Sequence, residues 1–171
     1  MRKSMIGFGL TVLSAFLVLG CTHEQKEAKE TDEKIPTGEV PQNVMTSVTR
    51  RLPGAQVTSV EKENEAGGIV YDFELMQQGR KYEMDVKEDG TIMEIEKQVS
   101  ANGAPPAVMK AVQTKWPAAT VTEVMEVDVV KGAQETPDHY EVTVATAEGK
   151  KNEVDVSMDG KIKEEEGEEN K

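Results

Sequence analysis

A chain of 171 residues with 20 basic and 32 acidic side chains, a formal net charge of -12, has room for one or two small domains and carries no basic footprint for nucleic acid. The same excess of carboxylate repels phosphate backbones and anionic lipid surfaces, so a partner steered by charge must be cationic: a metal ion, a polyamine or a basic protein patch. Only 4% of the residues are aromatic, which predicts modest cores flanked by solvated acidic stretches.

The chain opens with a basic Met1-Arg2-Lys3, an uncharged apolar run from Met5 to Leu19, and Gly20-Cys21. This is the layout of a secretory signal over residues 1–20, too short for a membrane span. Val18-Leu19-Gly20-Cys21 resembles the lipobox of bacterial lipoproteins, with Leu19 where a small residue is more usual. The resemblance implies cleavage before Cys21 and acylation of its thiol, so that lipid on Cys21 holds the protein to the membrane of the cell envelope. Thr22 stands where Asp would favour inner-membrane retention, which points to the outer membrane, facing the periplasm, in a two-membraned host. Cys21 is the only cysteine, which excludes an intramolecular disulfide. Residues 21–39 are rich in Lys, Glu, Thr and Gln and predict a flexible acidic tether, and residues 167–171 a disordered tail.

Between these ends one unit is written twice, over residues 40–100 and 101–166. Val44, Val48 and Leu52-Pro53 align with Val108, Val112 and Trp116-Pro117; Tyr71, Phe73 and Leu75 with Tyr140, Val142 and Val144; Asp89-Gly90 with Asp159-Gly160. The four-residue apolar spacing behind Pro41 and Pro105 predicts a helix that stops at Pro53 or Pro117. Alternation then predicts four antiparallel strands, near 55–64, 69–77, 80–87 and 91–96 in the first copy, with hairpin turns at the Asp-Gly pairs. The expected fold is α+β: two tandem units, each one helix packed on a four-stranded antiparallel sheet, sharing a sheet or packing closely because each alone is marginal.

These residues resemble the PepSY-like, beta-lactamase-inhibitor-like family of bacterial envelope proteins. The pattern Pro, helix, Trp/Leu-Pro-x-Ala-x-Val, Tyr-x-Val/Phe, then Glu-x-Asp-Val-x-x-Asp-Gly-x-Ile covers nearly all of residues 41–166. The resemblance implies a fold like that of beta-lactamase inhibitory protein, and a role in restraining peptidases or binding peptides. No catalytic or inhibitory residue carries over from it.

The inventory for chemistry is thin. His23 lies in the tether and His139 opens a strand as an exposed strand-end residue beside Asp138, with nothing in the spacing to bring Ser47, Ser59, Ser100 or Ser157 to it. Catalysis is therefore not expected, and no cofactor is called for. The segments 85–90 and 155–160 superficially resemble calcium loops but lack the close Asp-x-Asp-x-Asp-Gly spacing and the terminal Glu, and a hairpin turn explains their Asp-Gly.

If the aromatic rows face the helices, Asp72, Glu74, Glu83 and Asp85 share the other face with Glu141, Thr143, Glu153 and Asp155. A loop over residues 131–138, carrying Glu135 and Asp138 and longer than its counterpart at 65–68, is expected to border that face and set specificity. The function this predicts is a membrane-tethered, non-enzymatic module binding a protein or peptide with a basic patch, peptidase inhibition being one form of such binding. The alternative is calcium binding or buffering in the envelope.

Overall fold

The computed structural model describes residues 33–65 and 67–167; the signal, the Cys21 lipidation site, His23 and residues 168–171 lie outside them. In chain order the elements are β1 (Glu33–Lys34), α1 (Gln42–Arg51), β2 (Gln56–Glu65), β3 (Gly68–Gln77), β4 (Arg80–Lys87), β5 (Ile92–Gln98), α2 (Pro106–Lys115), β6 (Thr120–Lys131), β7 (Gln134–Ala145), β8 (Lys151–Ser157) and β9 (Ile162–Gly167). The strands form one antiparallel sheet in the order β1 to β9, each paired with its neighbours in sequence.

This corrects the expected architecture of two tandem units of one helix on a four-stranded sheet. Among the described residues one nine-stranded sheet dominates, and the two α-helices of ten residues each are minor elements upon it. Separate units would leave β5 and β6 as long edges with unpaired N–H and C=O groups. Instead these strands pair from Glu94↔Val129 to Gln98↔Met125 and the ladder runs through unbroken. The ninth strand comes from the segment expected to be tether: β1 pairs Glu33 and Lys34 with Lys62 and Glu61, Ile35 N–H donates to the Val60 carbonyl at 3.0 Å, and Ile35 packs on the first core. A single apolar residue, Ile35, is enough to dock a stretch whose composition is otherwise solvating.

Each helix starts behind a proline and ends in the same way. Leu52 and Trp116 have nearly identical backbone angles (φ -124°, ψ 77° and φ -126°, ψ 73°), and each donates its N–H to the carbonyl four residues back, at 2.9 Å. The following Pro53 and Pro117 bar another turn. Val44 and Val48 bury one stripe of α1 against Tyr71, Phe73, Leu75, Met84 and Ile95; Val108 and Val112 do the same for α2 against Tyr140, Val142, Val144 and Val154. Two cores result, both on one side of the sheet.

The hairpin of β6 and β7 links them. Both strands run to twelve residues, so the tip overhangs the first repeat: Val130 packs on the first core, and Glu135 pairs with Arg51 of α1 and, at 2.5 Å, with Lys97 of β5. Lys97 also pairs with the buried Asp128, which places a charged clasp between two apolar cores.

Among the described residues both helices lie on one side of the sheet, and the other side is not flat. Glu96, Met125 and Val127 are 1%, 1% and 0% exposed and belong to neither helix-covered core. Glu96 and Val127 are direct partners across β5 and β6, and alternation turns them away from Ile95, which faces α1. On this side residues from β2 to β8 line one cavity, so the sheet curves around it.

Candidate functional site

The concave side gathers the carboxylates. Glu61, Asp72, Glu74, Glu83, Glu123, Glu141 and Glu153 line one cavity of ≈140 Å³ together with Ser59 and Lys81. Ser59 stands on β2 and Glu153 on β8. Six strand spacings would part them by about 29 Å in a flat sheet, so their sharing a small cavity measures the curvature. The two repeats thus form the walls, and β5 and β6 the floor.

Cross-strand register stacks like charges. Glu61, Asp72, Asp85 and Glu94 are successive direct partners from β2 to β5, and Glu74, Glu83 and Glu96 form a second row. Directly opposed like charges destabilise a ladder, so neither row adds to the stability of the sheet. Among the described residues Lys81 lies inside the cavity, its Nζ 2.7 Å from Glu83 Oε1 and 3.5 Å from Glu123 Oε2 on the far repeat. Burial works against the Lys81 ammonium, but Glu83, then Glu123 and Glu74, outweigh it and hold its pKa well above the ordinary lysine value. Gln98 Nε2 donates to the other Glu123 oxygen at 3.1 Å.

Of the residues singled out in the sequence, Asp72, Glu74, Glu83, Glu141 and Glu153 meet in the cavity. Asp85 lies on the same face, buried in the row between Asp72 and Glu94. Asp155 sits at the margin, its Oδ2 3.5 Å from His139 Nε2. The segment 131–138 differs from expectation. Only Gly132 and Ala133 form a turn, the rest extends β6 and β7, and the tip leans toward α1 on the helix side rather than bordering the acidic face. Glu135 accordingly serves the Arg51–Lys97 clasp.

His139 is also corrected, from an exposed strand end to a residue 8% exposed in mid-strand, because β7 starts five residues earlier than expected. Its Nδ1 lies 3.0 Å from Asp138 Oδ2, which Lys163 Nζ also meets at 2.5 Å. Lys163, then His139, hold the Asp138 carboxyl below the usual range despite some burial. Burial pushes the His139 imidazole down, but Asp155 and Asp138 reverse this and leave its pKa raised. Sequence reasoning missed Glu61, Lys81 and Glu123. Alternation along β2 could have found Glu61, whereas Lys81 and Glu123 meet only through the curvature. Among the described residues no group of three or more His, Cys, Asp or Glu has an arrangement that could hold a metal ion, and no helix is long and apolar enough to cross a membrane.

The model of the beta-lactamase-inhibitor-like, PepSY-like family matches the chain over residues 24–94 and again over 69–164. Solved structures share the fold. A DUF2874 family protein of Bacteroides uniformis is 17% identical with a TM-score of 0.57, covering 74% of this chain and 88% of that one. A Bacteroides eggerthii protein described as periplasmic is 14% identical at a TM-score of 0.58, covering 75% and 88%. A protein of Bacteroides fragilis described as like beta-lactamase inhibitory protein is 21% identical at 0.51, covering 74% and 85%. No curated protein matches the chain in sequence.

Proposed function

Because this chain belongs to the beta-lactamase-inhibitor-like, PepSY-like family, we propose that it is a non-enzymatic module of the cell envelope that holds a basic, extended segment of a partner protein in its concave acidic cleft. The observation that carries this reading is the cavity lined by seven carboxylates with a single lysine among them. A concentration of carboxylates on one face attracts a cationic segment, and the curved walls offer contact on two sides. A peptidase with a basic surface loop is one partner of this chemistry, and occupation of the cleft would then inhibit it.

The test replaces Glu74, Glu83, Glu141 and Glu153 together by Gln and compares capture from envelope extract, followed by surface plasmon resonance on the captured partner across a salt series. Association should slow in the variant and lose most of its salt dependence, since exposed charges act over a Debye length of about 10 Å at 0.1 M salt. Unchanged capture and unchanged association would overturn the proposal, and calcium-dependent capture would replace it with the cation reading.

Tethering through lipid on Cys21 completes the proposal. Fatty-acid labelling should be lost in Cys21→Ser; equal labelling of the variant would remove the anchor from the reading.

A further inference from the structure

The face opposite the acidic cleft holds a site of contrary chemistry. Between α1, the Gly90 turn and the tip of the β6–β7 hairpin lies a cavity of ≈370 Å³, in the size range of small-molecule pockets. Its apolar wall is Ile92 and Val130, both of which pack on the first core. Its polar wall consists mainly of groups able to donate: the Arg50 guanidinium, the Ser47 hydroxyl and the Gln134 amide. Glu135, the one carboxylate present, is already neutralised by Arg51 and Lys97. Arg50 forms no ion pair with any described residue, in a chain whose formal charge is -12. The second repeat has no cation at the equivalent place. Thr114 takes the place of Arg50, and Lys115, in the place of Arg51, is committed to Glu165 and to the face of Trp116.

We infer that this cavity is a second binding site, for the carboxylate of a small apolar acid or of an apolar C-terminal residue of a peptide. Arg50 receives the carboxylate as a fork of two N–H donors, and the apolar body lies against Ile92 and Val130. An anion approaching the acidic cleft would be repelled, whereas this pocket is shielded from it by the sheet. The hairpin extension that distinguishes the second repeat builds its outer wall, and the site is independent of whether the cleft binds a partner.

The experiment is an amide-resolved NMR titration of the folded protein with hexanoate, with N-acetyl-leucine as the mimic of a peptide C-terminus, and with N-acetyl-leucinamide as its uncharged match. Saturable shifts at Ser47, Ile92 and Gln134 are expected with the acids and not with the amide. Tighter binding of N-acetyl-leucine than of hexanoate assigns the site to a peptide terminus, and the reverse order assigns it to a small acid. Arg50→Gln, a change at an exposed helix position, should weaken the acids about tenfold, the loss of a charged hydrogen-bonding partner. No saturable shift with either acid, shifts as large with the amide, or undiminished binding by a variant that keeps the native spectrum would overturn the assignment.

Discussion

Gly160, in the turn between β8 and β9, backs onto α2 so closely that a Cβ in its place would stand 2.6 Å from the carbonyl oxygen of Ala107. Gly90 does the same in the first repeat with more room, its Cβ position lying 3.0 Å from Ser47 Oγ and 3.2 Å from the Asn43 carbonyl oxygen. Both glycines also have positive φ, 86° at Gly90 and 87° at Gly160. The Asp-Gly pairs that mark the repeats in the sequence are therefore turns and helix seats at once.

Gly160→Ala should destabilise by about 2–3 kcal/mol and Gly90→Ala by about 1–2 kcal/mol. Both carry the left-handed backbone cost of roughly 1 kcal/mol, and both face a helix carbonyl oxygen, but Gly160 stands 2.6 Å from its oxygen where Gly90 keeps 3.2 Å, so α2 must move further than α1. Urea denaturation of the two variants checks the order. Equal losses would show that the turn conformation alone matters.

His139 gives the fold a pH dependence of definite sign. Its folded pKa is raised above the ordinary 6.5 by Asp155 and Asp138, against the effect of burial. The stability it contributes is thus full below pH 6.5 and is lost as pH rises through the folded value. Denaturation midpoints of the wild type should fall over that window, and His139→Gln should remove this part of the slope. An imidazole that titrates by NMR at or below 6.5 would contradict the prediction.

Among the described residues Lys81 is the one cation lining the acid cavity. Lys81→Met should cost about 1 kcal/mol near neutral pH, since one half-exposed ammonium is removed from between Glu83 and Glu123. Lys81→Arg, which keeps the charge, should recover most of that loss, and a loss that Arg does not recover would mean that Lys81 contributes through its alkyl chain alone.

What was legible in the sequence is what period and turn chemistry encode. The valine spacing of the helices, the alternation of Tyr71, Phe73 and Leu75 and the Asp-Gly pairs led to elements within a few residues of those observed. Alternation also placed Asp72, Glu74, Glu83, Glu141 and Glu153 on one face. Whether the two units share one sheet or only pack closely stayed open in the sequence, because the residues of β5 and β6 carry no signal of which strand they meet. Curvature was hidden for the same reason: Lys81 and Glu123 are 42 positions apart and on strands that do not pair with one another. The fate of Glu135 depended on two extended strands where Pro137 and Gly132 read as loop; a bulge between Val127 and Asp128, opposite Pro137, absorbs the proline within the ladder.

The unbroken order of the strands bears on how the chain reaches this state. Every strand pairs with its neighbour in sequence, so each hairpin can close on the one before it over a short loop, except β1 with β2 and β5 with β6, which close across a segment that holds a helix. A further exception is the overhang of Val130 and Glu135 onto the first repeat, which forms only when β6 and β7 have closed. Assembly should therefore proceed as a zipper, strand after strand, and finish by latching its later half onto its earlier one.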